Sequence, residues 1–240
     1  MPATVAIVVN SCLSYHRHTL PPLLASLRRA GVDPADVFVV VGDAPEHATS
    51  DEAAARVWFV PWSNIDDTGL IWAVSPEGRE ALRGREWIFY LHDTTSVMPK
   101  FGHDVQARRL PPSSADDTAA PIAAVPLKPF PAMSMGYYRV AALWGAGEAI
   151  LATRNDDTSE QGRVRAKNVP DMEDGVFRLL LGRDHVTYPG DVLNPHECAV
   201  HREDGSPYGG VTRIRETWDV PGLYKYKANW GQSAHWGVSL

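Results

Sequence analysis

The sequence predicts an α/β fold with a mostly parallel central sheet flanked by helices. Four short apolar, β-rich runs recur early in the chain, at residues 4–10, 36–44, 55–62 and 86–93. Such runs suit strands buried on both faces, because alternation is lost when neither face meets water. A leucine pattern at helical spacing separates the first two, and strands alternating with helices favour parallel pairing.

The elements follow in order. "TVAIVVN" (4–10) reads as the first strand, ending at Asn10-Ser11. "TLPPLLASLRRAG" (19–31) reads as a helix with Leu20, Leu23, Leu24 and Leu27 on one face, prolines in its first turn and Gly31 at its C-cap. His16 and His18 precede it in an exposed loop by this reading. "DVFVVVGDA" (36–44) is a second strand ending at Gly42-Asp43, and "ARVWFVPW" (55–62) a third. "NIDDTGLIWAVSP" (64–76) turns from polar to apolar, as a loop entering a helix does. "EWIFYLHD" (86–93) is a fourth strand, stopping at His92-Asp93.

The second half is less regular. The Pro-, Ser- and Asp-rich stretch 108–121 reads as an exposed loop, "MSMGYYRVA" as a strand and "GEAILATRN" as a helix. Residues 158–172 are polar. "MEDGVFRLLLGRD" (172–184) has Val176, Leu179 and Leu180 on one helical face, and "HVTYPGDVL" (185–193) reads as a strand. The tail from 194 carries Trp218, Trp230 and Trp236 but no strong helix signal, and no internal repeat is present.

The chain has 240 residues, enough for one large domain, with 44% hydrophobic and 22% charged residues. A net charge of −6 with scattered Lys and Arg argues against nucleic-acid binding. The start "MPATVAIVVNS" is not a signal peptide, and no stretch reaches the ~18 apolar residues of a membrane span. Two distant cysteines, Cys12 and Cys198, suggest reduced thiols, and the expected location is cytoplasmic.

Three of the four strand ends are polar: Asn10-Ser11, Gly42-Asp43 and His92-Asp93. Open α/β sheets bind ligands outside the carboxyl ends of their strands, so these ends are candidate site residues. Turn-forming Asn, Asp and Gly also end strands for purely local reasons.

The order of "AIVVNSCLSYHRHTLPPLLASLRRAG", "VFVVVGDA", "IFYLHDTTSVMP" and "DMEDGVFRLL", followed by "VTYPGDV", resembles glycosyltransferases of the GT-A fold, particularly inverting family 2 enzymes. The resemblance spans roughly residues 4 to 193. It implies a single GT-A-like domain over 1–240, with a nucleotide-sugar-binding half (1–107) and an acceptor-binding half with its tail (108–240). It implies a nucleoside-diphosphate sugar donor and a small-molecule or glycan acceptor. Asp43 stands where that family contacts the base or ribose, with Asn10, Ser11 and Asn64 placed to help. His92-Asp93-Thr94-Thr95 stands where it carries its DxD metal motif, with one carboxylate instead of two. Glu173 and Asp174 match its catalytic Glu-Asp pair.

Those residue types suit the chemistry. A departing diphosphate gathers negative charge that Mn²⁺ or Mg²⁺ could absorb, held by Asp93 and diphosphate oxygens. His92 as a second ligand would favour Mn²⁺. Asp93 capping the next turn through Thr95 is the local alternative. An acceptor hydroxyl needs a base, and Asp174 could supply it. Carboxylates in a first helical turn also satisfy the macrodipole without any catalysis. Arg85, or Lys225 and Lys227, could hold phosphate. His196, Cys198 and His201 form H-x-C-x-x-H, without a second pair to complete a zinc site. His196, His201 and His235 each could serve as a late metal ligand. A non-catalytic nucleotide-sugar-binding domain is the main alternative. A nucleotidyltransferase ranks lower, because "NSCLSYHRH" contains no glycine.

Overall fold

The structure is a computed structural model that describes residues 5–52, 55–106, 124–126, 135–159, 161–162, 200–208, 211–218 and 223–227. Strand β1 (Val5–Cys12) is flanked by β2 (Val37–Gly42) and β5 (Trp87–His92), both parallel to it. Beyond β2 lies β4 (Ala55–Phe59), also parallel, and then the antiparallel edge strand β3 (Ala48–Glu52). Beyond β5 lie β8 (Gly136–Arg139) and β7 (Ala124–Pro126), both antiparallel to their neighbours. The seven-stranded order is β3-β4-β2-β1-β5-β8-β7.

The expected α/β class holds, but the sheet is mixed. Its four central strands are parallel, and three antiparallel strands complete it. The long apolar runs mark the parallel strands; β8 is also buried on both faces, with Tyr137 and Tyr138 in opposite halves of the core, but it is only four residues long. β3, "ATSDE", is polar and mostly exposed, so no apolar run announces it.

Alternation along the parallel strands divides the core. Ile7, Val9, Val39, Val41, Phe89 and Leu91 pack with the leucines of α1 (His16–Arg29). Ala6, Val8, Val40, Ile88 and Tyr90 pack on the other face with Leu70, Ile71 and Val74 of α2 (Thr68–Val74). Leu20, Leu23, Leu24 and Leu27 of α1 are all buried. Each contributes about 1.5–3 kcal/mol relative to exposure.

Helix α1 begins earlier than predicted. His16 and His18 lie within its first turn, and His16 is buried. Pro21 and Pro22 therefore sit inside the helix, not at its start. Both lie on the exposed side, where water can meet the carbonyls they leave without helical partners. Gly31 follows with φ +75°, the left-handed residue expected after a helix.

The remaining α-helices among the described residues are short: α3 (Pro76–Ala81), α4 (Phe101–Gln106), α5 (Val140–Gly145) and α6 (Gly147–Leu151). The predicted strand "MSMGYYRVA" turns into α5 after Arg139, and the predicted helix at "GEAILATRN" is α6. A second sheet joins β6 (Thr95–Val97) to the antiparallel strands β11 (Leu223–Lys227), β10 (Val211–Trp218) and β9 (Val200–Tyr208). The tail thus returns to pair directly after Asp93. No helix among the described residues is long and apolar enough to cross a membrane.

Candidate functional site

The chain moves from β1 to β2 to β4 on one side, then crosses to β5 on the other. The strand order therefore reverses between β1 and β5. A reversal of that kind leaves a crevice outside the carboxyl ends of the strands. Asn10-Ser11 and His92-Asp93 end the two strands that border this crevice, and Asn10 and His92 are paired in register. Neighbouring side chains on a strand point to opposite faces. One face of the crevice therefore receives Ser11 and Asp93, and the other receives Asn10 and His92.

On the α1 face, the Asp93 Oδ2 accepts hydrogen bonds from Ser11 Oγ at 2.6 Å and Thr19 Oγ1 at 2.5 Å. The Asp93 backbone N–H donates to Asn10 O at 2.9 Å. Burial pushes the Asp93 carboxyl above the usual range, against the pull of the Ser11 and Thr19 hydroxyls, and Asp66 adds to the rise. Thr95 does not bond to Asp93. Its hydroxyl donates to His92 O at 2.6 Å, so the turn after β5 is closed by Thr95 itself. Burial, with the Asp93 and Asp43 carboxylates adding to it, pushes the Cys12 thiol up to about 12. A thiol in that state is a poor nucleophile.

On the α2 face, Asn10 works as a clamp. Its Oδ1 accepts from Gly69 N at 2.9 Å, and its Nδ2 donates to Ile65 O at 2.8 Å. Gly69 lies in the first turn of α2, where backbone N–H groups lack helical partners. Asp67, at the N-cap, makes no side-chain cap bond, so a strand residue supplies the cap from a distance. His92 Nδ1 lies 3.7 Å from Asp66 Oδ1, and its ring meets that of Tyr90 edge-on. The Tyr90 hydroxyl donates to Asp66 O at 2.6 Å.

Asn64 is a second clamp. Its Nδ2 donates to Thr153 O at 2.7 Å, and its Oδ1 accepts from Asn155 N at 2.7 Å. Asn155 returns the contact through Nδ2 to Ser63 O at 3.1 Å. The segment after α6 is thereby fastened to the loop after β4.

Among the described residues, two other than glycine have positive φ: Asp43 at +63° and Ile65 at +54°. For a β-branched Ile this conformation is strained and must be imposed by its surroundings. The Asn10 bond to Ile65 O and the Ser63 Oγ acceptor for Ile65 N impose it. Asp43 follows Gly42, whose absent Cβ would come within 3.1 Å of both Thr68 and Trp62 O. Asp43 itself is half-buried, and its N–H donates to Trp62 O at 3.2 Å.

Asn10, Ser11, Asp43, Asn64, His92 and Asp93 thus all lie at the carboxyl end of the parallel strands. His92 and Asp93, expected to share a metal, form their contacts on opposite faces. No group of three metal-capable His, Cys, Asp or Glu side chains occurs among the described residues. Those residues do not fit a metal site built by the protein alone. Arg85 is at the wrong end for a phosphate: it pairs with Asp36 at 2.6 Å, before β2 and β5 begin. Glu173, Asp174, His196, Cys198 and His235 lie outside the described residues, as do the predicted helix 172–184 and strand 185–193. His201 is in β9, and Lys225 and Lys227 are in β11, with side chains outside the described set.

Thr19 and Asp66 were not expected at the site. Thr19 lay within the predicted helix, and nothing local distinguishes it from a helix-start threonine. No protein family, curated protein or solved structure significantly matches this chain.

Proposed function

We propose that this chain is a glycosyltransferase that moves a sugar from a nucleoside-diphosphate sugar to a hydroxyl acceptor, with inversion at the anomeric carbon. One observation supports the reading above all: polar strand ends border the point where the sheet order reverses, between β1 and β5. Nucleotides bind at such points in open α/β sheets. Numbered among themselves, the four parallel strands run 3-2-1-4, the order found around the switch point of dinucleotide-binding sheets.

In this reading the half-buried Asp43 accepts from a ribose hydroxyl or a base N–H. Ser11 and Asp93 line the wall beneath the diphosphate. Asn10 and Asn64 serve the donor indirectly, by fixing the loops after β1 and β4. The acceptor oxygen forms a bond to the anomeric carbon while the bond from that carbon to the diphosphate oxygen breaks. The electron pair leaves with the diphosphate, and the acceptor proton passes to Asp174, with Glu173 beside it. General-base help of this kind is worth about 10²–10⁴-fold in rate. The described donor set does not hold an ion by itself, so no step is routed through one. Mn²⁺ or Mg²⁺ enters the proposal only as an ion recruited jointly by Asp93 and the diphosphate.

Calorimetric titration of UDP, GDP and dTDP, each with and without Mn²⁺, tests the reading. One diphosphate should bind, and Asp43→Ala should weaken it at least about tenfold, or ~1.4 kcal/mol, with only a modest fall in melting temperature because alanine tolerates φ +63° less well than aspartate. If none binds, or Asp43→Ala binds as wild type, the reading is wrong. A second reading, a domain that binds nucleotide sugars without turning them over, is favoured by the separation of His92 from Asp93. Tight binding with no turnover of the matching nucleotide sugar, whether by hydrolysis or by transfer, would select it.

A further inference from the structure

We propose that Thr19 is a positioning residue of the crevice, acting through Asp93 by holding its carboxylate in one orientation together with Ser11. The inference rests on the nucleotide reading above. Three elements meet here: the end of β1 through Ser11, the first turns of α1 through Thr19, and the end of β5 through Asp93. All three side chains are buried, at 2%, 5% and 9% exposure.

The bonding is not what stability alone would arrange. The Thr19 hydroxyl has one hydrogen and two acceptors in reach, Asp93 Oδ2 at 2.5 Å and Tyr15 O at 3.0 Å. A carboxylate is the stronger acceptor. Tyr15 O already accepts from Thr19 N at 3.1 Å, so it does not need the hydroxyl. Ser26, on the same helix, shows the ordinary structural use of such a group. Its hydroxyl donates to Leu23 O at 2.7 Å and accepts from the Val97 backbone N–H at 3.1 Å. Ser26 thus satisfies a backbone group that would otherwise lack a partner. The hydroxyls of Ser11 and Thr19 instead serve a carboxylate whose burial is costly. A carboxylate retained in such a place, with two donors supplied for it, points to a role beyond packing.

The geometry fixes that role. An aspartate side chain has two free torsions. Two donors from different directions on Oδ2 lock both, and so set where Oδ1 lies. The backbone bond from Asp93 N to Asn10 O anchors the other end of the residue. Oδ1 is then the oxygen left for the ligand side of the crevice, held without reorganisation when a ligand arrives. Losing one donor frees the torsions and spreads Oδ1 over several positions.

The test uses the full chain and whichever of UDP, GDP or dTDP the wild type binds. Thr19→Val keeps the shape and removes the donor. Thr19→Ser keeps the donor and removes a methyl. We expect Thr19→Val to weaken binding about tenfold and Thr19→Ser to restore it to within about threefold of wild type. In an Asp93→Asn background the loss from Thr19→Val should shrink to about threefold or less, because the two residues act as a unit. An equal loss in both backgrounds means that Thr19 acts independently of the carboxylate, and overturns the proposal. Unchanged affinity in Thr19→Val overturns it as well, while leaving the nucleotide reading intact. A wild type that binds none of the three diphosphates overturns both. Should Thr19→Val fail to fold, Ser11→Ala removes the other donor and is read against Asp93→Asn in the same way.

Discussion

Replacing Asn10 by alanine separates a structural clamp from a ligand contact. The Asn10 side chain makes two bonds, 2.9 Å from Gly69 N and 2.8 Å to Ile65 O, at 6% exposure. Each buried bond is worth about 0.5–1.5 kcal/mol net, and a donor left buried without a partner costs about 1–3 kcal/mol. Gly69 N–H is such a donor, because it lies in the first turn of α2 and Asp67 does not cap it. Ile65 would also lose the bond that holds its left-handed backbone. The expected loss is about 2–4 kcal/mol. For a chain of this length that lowers the melting temperature by roughly 5–15 °C. Thermal unfolding followed by circular dichroism measures it, and titration with UDP, GDP and dTDP at low temperature measures the ligand side. Asn10→Asp keeps the acceptor but loses the donor, and should fall between wild type and Asn10→Ala. A melting temperature within about 1 °C of wild type, joined to lost nucleotide affinity, would refute the clamp and make Asn10 a direct contact.

Two further predictions concern protonation. Cys12 should resist iodoacetamide at pH 8 in the folded protein and react quickly in urea, read in a Cys198→Ser background. Its thiol is raised from 9.0 to about 12, so the fold favours the neutral form. That contribution to stability is complete below pH 9 and is lost as pH rises from 9 towards 12. Rapid alkylation of the folded chain at pH 8 would contradict it. The Asp93 carboxyl is likewise raised above 3.8, so its contribution is complete below that pH and is lost as pH rises through the folded value. Asp93→Asn mimics the protonated form. Its melting temperature relative to wild type should therefore climb as pH rises above 3.8, and a constant difference would exclude the shift.

The sequence alone determined the parallel core of the sheet. Val5–Val9, Val37–Val41 and Trp87–Leu91 present apolar or aromatic side chains to both faces, and such segments are stable only between two layers. It also determined which strand ends carry polar groups, because a side chain cannot be moved along its own strand. The antiparallel additions were less legible. β3 and β6 are short and polar or buried by distant partners, so neither shows a period of its own. The tail carries one local cue: "YGGV" spans Tyr208 to Val211, the two residues that pair in register, and Gly-Gly between two strands is a hairpin signal. The pairing of β11 with β6 could not have been read, since more than 120 residues separate them and register across that distance depends on the folded surface.

What only the tertiary structure decided is the division of labour at the strand ends. Asn10 and Ser11 are adjacent in sequence, as are His92 and Asp93, and read together they suggested one cluster. The pleat sends each pair to opposite faces of the sheet. Asn10 consequently caps a helix and His92 faces Asp66, while Ser11 and Asp93 meet Thr19. Chain order fixes which residues reach the crevice. The hydrogen bonds each finds there depend on which helix covers its face, and that is settled only when α1 and α2 pack on the sheet.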